Sequence, residues 1–170
     1  MRITLPRLLT AAALTLGFIG PAPAQDSAVV EVKSMSMELA QTIAAKSVKT
    51  CRERGFQVSA VVLDRGGDPQ AILRDVYAPR MTLEIAREKA GAVILSGTPS
   101  AALDESRADI AADLNHLDEV LTMKGGLPIE SGGSLLGAVA VSGAPSGKID
   151  GECAQAGLDA VSEQLQFGGL

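Results

Sequence analysis

Gly125–Gly157 reads GGLPIESGGSLLGAVAVSGAPSGKIDGECAQAG, and this stretch sets the architecture of the chain. Leu127–Glu130 and Ser134–Val141 are apolar-rich runs joined by Ser131-Gly132-Gly133, the residues of a tight hairpin turn. The second run has the composition of a central strand, and Gly137 within it marks a place where another backbone or a ligand approaches closely. Beyond Pro145, Ser146 or Asp150 opens a helix whose inner stripe is Cys153, Ala156, Gly157, Ala160, Val161 and Leu165. The stretch holds no evident catalytic group. It identifies a domain rather than an activity.

Working upstream, Val120–Met123 reads as a further strand, set off by Gly125-Gly126. Gln57–Leu63 (QVSAVVL) and Gln70–Arg74 (QAILR) flank the turn residues Asp64-Arg65-Gly66-Gly67-Asp68-Pro69, which predicts a second hairpin. Ser36 is placed to N-cap a helix with Glu38 in its first turn. Leu39, Ile43, Ala44, Val48 and Cys51 then recur at spacings of three and four until Gly55. A second helix follows Pro79, with Leu83, Ile85, Ala86, Ala90, Val93 and Ile94 on its buried face. Ala101–Leu114 is helix-compatible but crowded by Asp104, Glu105, Arg107, Asp109 and Asp113, and reads as a mobile, partly exposed excursion. The order is helix, two strands, helix, short helix, three strands, helix. That predicts an α/β chain of the α+β type, a five-stranded antiparallel sheet with helices packed on it.

Residues 1–24 read differently from the rest. Arg2 and Arg7 precede the apolar run Leu8–Ile19, and Ala22-Pro23-Ala24 supplies a small-x-small cleavage site. This is the order of a secretory signal peptide, and the run falls short of the ~20 residues of a membrane span. Residues 25–170 then form a single domain in the periplasm or outside the cell, with no membrane span after processing. The whole chain has 15 Lys+Arg against 20 Asp+Glu. Loss of Arg2 and Arg7, with no acid lost, leaves 13 against 20, a net charge of −7. Such an acidic domain is unsuited to nucleic acid. The scarcity of aromatic residues, with no Trp and one Tyr, also excludes platforms of stacked rings. The two cysteines, Cys51 and Cys153, lie on the first and last predicted helices. In an oxidising compartment they form a disulfide; the alternative is two buried thiols.

Four segments in order, AVVLDRGGDPQAILR, IAREKAGAVILSGTPSAAL, GGLPIESGGSLLGAVAVSG and DGECAQAGLDAV, resemble the GlcG/HbpS family. This is a haem-binding-protein-like domain also found at the C-terminus of PduO-type proteins. The likeness runs from about Leu39 to Val161. It implies a profilin-like α-β-α sandwich, assembly as a homo-oligomer, and haem or iron-related binding in some members. Some haem-binding members use a histidine early in the chain. Here the only histidine is His116.

Few residues are candidates for chemistry. His116 is the candidate metal ligand, a neutral imidazole for haem iron, against the reading of a solvated loop residue. Lys89, which resembles a recurrent lysine of the family, and Arg80 are candidate anchors for a propionate or small carboxylate. The alternative for Lys89 is a half-buried lysine snorkelling to solvent. Thr98 stands at a family-like position where a hydroxyl is a weak axial ligand, against helix punctuation before Pro99. Met35 and Met37 offer thioethers but sit where methionine packs. No phosphate-loop or G-x-S-x-G pattern occurs, so no catalytic residue is assigned. The sequence therefore points to an exported protein that binds haem or a small anionic metabolite. The alternatives are an enzyme acting on a small carboxylic acid and an oligomeric sensor-partner module without a ligand.

Overall fold

Two serine caps begin the two long helices of one layer. The Ser36 hydroxyl accepts the Leu39 amide and starts α1 (Met37–Glu53), and Ser146 does the same for Ile149 at α5 (Gly147–Asp159). The computed structural model describes residues 28–167, so the leader read over residues 1–24 lies outside the described residues. The chain divides into the units Met1–Glu31 and Val32–Leu170. Of the first, only residues 28–31 are described, and they are exposed. Everything below concerns the second. Among the described residues no helix is long and apolar enough to cross a membrane.

β1 (Ser59–Asp64), β2 (Pro69–Arg74), β3 (Gly126–Ser131) and β4 (Ser134–Ser142) form one antiparallel sheet in the order β2-β1-β4-β3. The central pair runs Ser59 opposite Ser142 to Asp64 opposite Gly137. Successive side chains alternate between faces. Ala60, Val62, Val139 and Val141 join α1 and α5 in one core that includes Ile43, Val48, Ile129 and Val161. Val61, Leu63, Ala138 and Ala140 face α2 (Met81–Ser96), meeting Ala86, Ala90 and Val93. Both faces of the central strands are thus covered, which is why Ala60–Leu63 of β1 are apolar without interruption.

Two glycines permit the tight contacts. A Cβ at Gly137 would run into the Leu63 carbonyl and the Met35 methyl, so the close approach read from the sequence is made by protein. A Cβ at Gly157 would meet Ser47 Oγ and the Ile43 carbonyl, so α5 lies directly against α1.

The sheet has four strands among the described residues, not five. Val120–Met123 does not pair with it because its backbone groups are engaged elsewhere. The Leu121 amide donates to the Glu88 carbonyl on α2, the Thr122 amide to Asn115 Oδ1, and the Met123 carbonyl accepts from Ser100 Oγ. The final helix also differs from the expectation. It stops at Asp159 and restarts as α6 (Ser162–Phe167), which leaves Ala160 exposed and Ala156 half-buried, while Ala154 enters the core. The excursion after α2 forms two short helices, α3 (Ala102–Ser106) and α4 (Ala111–Leu114).

Cys51 on α1 and Cys153 on α5 are joined by a disulfide, fully buried, with Cα atoms 5.6 Å apart and a sequence separation of 102. Closing a loop of that size is worth about 4.7 kcal/mol on the chain-entropy account. Urea unfolding of Cys51→Ala/Cys153→Ala is expected to show a loss of about 2–5 kcal/mol. A loss below about 0.5 kcal/mol would mean that packing alone fixes α1 on α5.

Candidate functional site

Lys89 lies midway along α2 and is 1% exposed. Its ammonium donates to Asp150 Oδ2 at 2.9 Å and to the Val141 carbonyl at 3.2 Å. Asp150, 3% exposed in the first turn of α5, also accepts the Ala144 amide through Oδ1 at 3.0 Å. Burial pushes the Asp150 carboxyl above its ordinary value, and the Lys89 ammonium opposes that shift. The lysine read as an anchor or a snorkelling side chain is a brace between α2, β4 and the α5 start. Its charge is already satisfied by protein.

The other sequence candidates are scattered. Arg80 is exposed at the start of α2, beside the Met81 sulfur. Thr98 is exposed just beyond the end of the same helix, about 25 Å from Arg80 by helix rise. His116 is exposed on the turn after α4. Met35 is buried in the core, and Met37 is exposed. Among the described residues no group of three or more His, Cys, Asp or Glu is placed to hold a metal ion. The structure does not bring Lys89, Arg80, Thr98 and His116 together.

Only Thr98 lines a cavity of suitable chemistry. A cleft of about 380 Å³ lies between Leu95, Ser96 and Thr98 at the end of α2 and the excursion opposite. The excursion supplies Leu103, Ser106 and Arg107 from the α3 region and Ile110 and Leu114 from the α4 region. Its base is pinned at several points. Ser100 Oγ donates to the Met123 carbonyl at 2.6 Å and accepts the Gly126 amide at 3.0 Å. Asn115 brackets Thr122 through both amide atoms, and Arg87 pairs with Glu119. The walls are apolar, the rim carries three hydroxyls, and the one lining cation is Arg107, paired with Asp109 at 3.1 Å. Sequence reading passed over this set, although Leu103, Arg107, Ile110 and Leu114 repeat at four, three and four. That is the spacing of one helical face.

Two other depressions are less suited to a ligand. A groove of about 390 Å³ lies beside the start of α1, the β3–β4 hairpin and α6. Its lining holds no cation, only the acid Glu38, and Ser36 is engaged by the Leu39 amide, Thr42 by the Glu38 carbonyl and Ser131 by the Leu165 carbonyl. The third surrounds the turn after β2, where buried Asp75 receives Arg52 at 2.7 and 3.0 Å and the Val76 amide at 2.8 Å. This turn presents Tyr77, 81% exposed, to solvent. The Arg52 hydrogen bond holds the Asp75 carboxyl below its ordinary value against the opposing effect of burial.

Fold and cleft together define an α+β domain with an antiparallel sheet between helical layers and a surface cleft beyond its second long helix. A family model described as haem-degrading protein HbpS-like matches residues 35–159, and the chain belongs to this HbpS-like family. The crystal structure of HbpS is 28% identical, covers 82% of this chain and 99% of its own, and superposes with a TM-score of 0.75. The Klebsiella pneumoniae protein ORFY is 25% identical over 82% of this chain and 98% of its own, also at 0.75. A PduOC protein solved as its haem complex is 21% identical over 75% of this chain and 95% of its own, at 0.69, and shares the fold. No curated protein matches the chain.

Lys89→Met, which strands a buried carboxylate, is expected to cost about 3–5 kcal/mol in urea unfolding. Lys89→Met/Asp150→Asn should recover most of that loss; an equal loss in both variants would refute the brace. The Asp75 contribution has the opposite pH logic to a raised group. With its folded value depressed, it is complete above the unfolded value of about 3.9 and disappears as pH falls through the folded value. The stability gap between wild type and Asp75→Asn should therefore be widest near neutrality and close in acid. A gap independent of pH would contradict the assignment.

Proposed function

We propose that this protein binds haem, or a small carboxylate of like chemistry, in the cleft between the end of α2 and the α3–α4 excursion. The observation that carries the reading is the cleft itself: apolar walls at Leu95, Leu103, Ile110 and Leu114 with a guanidinium at one side. A flat macrocycle bearing propionates needs an apolar face and a cation at its edge. Its volume lies at the small end of the ~300–1,000 Å³ typical of ligand sites, so part of such a ligand stays outside. Membership of the HbpS-like family supports haem as the ligand.

The protein acts outside the cytoplasm in this proposal. The basic, apolar and small-residue order of residues 1–24 supports export, and the buried Cys51–Cys153 disulfide suits an oxidising compartment. It works as a homo-oligomer. Exposed Ile72 on the edge strand β2, with Val76, Tyr77 and Met81 just beyond it, offers apolar surface for contact between copies.

Haemin titration of the protein from Gln25 onward tests the reading. A saturable Soret shift is expected, retained in His116→Ala, since His116 lies outside the cleft, and abolished in Ile110→Asp. Absence of a saturable shift, or a shift untouched by Ile110→Asp, would sink it. The family description also names haem degradation. Decay of the bound Soret band under a reductant and oxygen would add that activity to binding.

A further inference from the structure

We infer that the α2–α4 cleft recognises its ligand through a free carboxylate at Arg107 and not through a bond to iron. This rests on the cleft being the binding site, and it changes the ligand class from metal complex to amphiphilic acid.

The lining of the cleft lacks an iron ligand. Haem iron is held by imidazole, thiolate, thioether or phenolate. None of these lines the cleft, whose polar side chains are Ser96, Thr98, Ser106 and Arg107. His116 lies outside it on the surface, and both cysteines are joined in the core. The hydroxyls are also engaged as donors. Ser96 Oγ donates to the Ala92 carbonyl at 2.8 Å, Thr98 Oγ1 to Ser96 Oγ at 3.1 Å, and Ser106 Oγ to the Ala102 carbonyl at 2.7 Å. A neutral aliphatic hydroxyl is not among the ligands that hold haem iron.

Arg107 is different. A guanidinium carries five N–H donors in a planar fork matched to a carboxylate. Asp109 occupies Nε at 3.1 Å and one terminal nitrogen at 3.4 Å, the latter a long bond, which leaves donors free. Both partners are more than half exposed, so an incoming acid exchanges with Asp109 at little cost. The wall of the cleft includes Leu95, itself 55% exposed and left to water unless a ligand covers it. One cation beside an uncovered apolar wall matches a molecule with an acid group on a large apolar body. A porphyrin with free propionates is one such molecule, and its metal adds nothing here.

Metal-free protoporphyrin IX, followed by its own fluorescence, tests this against haemin and against protoporphyrin IX dimethyl ester in one detergent-containing buffer. The free acid should bind within about threefold of haemin, and the ester about tenfold more weakly than the acid. Arg107→Gln should weaken both acids about tenfold and leave the ester unchanged, while Asp109→Asn, which removes the competitor, should tighten the acids. Haemin binding at least tenfold tighter than protoporphyrin would show iron ligation and overturn the inference, with the cleft reading intact. An ester that binds as well as the acid, or an Arg107→Gln variant that binds like wild type, would overturn it too. Failure of haemin and protoporphyrin alike to saturate would remove the cleft reading, and this inference with it.

Discussion

The sheet packs against two helical layers of unequal depth, and the rest of the molecule follows from that inequality. On the α1–α5 side the central strands present Val62, Val139 and Val141 to Ile43 and Val48, with a disulfide fastening the two helices. On the other side β1 presents Val61 and Leu63 but β4 only Ala138 and Ala140, and α2 answers with Ala86, Ala90 and Val93, a smaller cluster than that on the α1–α5 side. The four alanines among them let the helix approach closely but bury little apolar area each. The Lys89–Asp150 brace adds an attachment that apolar packing on this side supplies sparingly. A buried ion pair is a weak source of net stability, yet it tolerates few alternative partners. It ties the middle of α2 to the end of β4 and the start of α5.

The placement of α2 in turn decides the cleft. The excursion is held to that helix through the Leu121–Glu88 and Arg87–Glu119 contacts, and to β3 through Ser100 and Gly126. Neither α3 nor α4 is long enough to be stable by itself in water. Their arrangement is inherited from the parts to which the ends are tied. Structural charge and recognition charge are consequently separate: Lys89 is closed inside the core, and Arg107 stands at the rim.

Most of the architecture is legible locally. The caps at Ser36 and Ser146, the turn at Ser131-Gly132-Gly133 and the apolar runs of β1 and β4 each need only near neighbours to be read. What failed depended on partners far along the chain. Val120–Met123 has the apolar character of a strand, but whether its amides meet a strand or the flank of α2 is a tertiary choice. Lys89 looks like an available cation until Asp150, on a different helix, is placed beside it. The stripe from Leu103 to Leu114 was visible in principle. Five charged residues in the same segment obscured its period, and two short helices rather than one carry it.

The Cys51–Cys153 link has a mechanical corollary. The covalent ring it closes encloses all four strands together with α2, α3 and α4. A force applied to the two ends of the oxidised chain is carried across the bond and bypasses the backbone of the strands. Pulling would peel α1 up to Cys51 and the remainder of α5 with α6, and then stop. Reduced, the same chain could be drawn out along its full contour, so the bond also sets the longest thread the protein can present to a pulling machine.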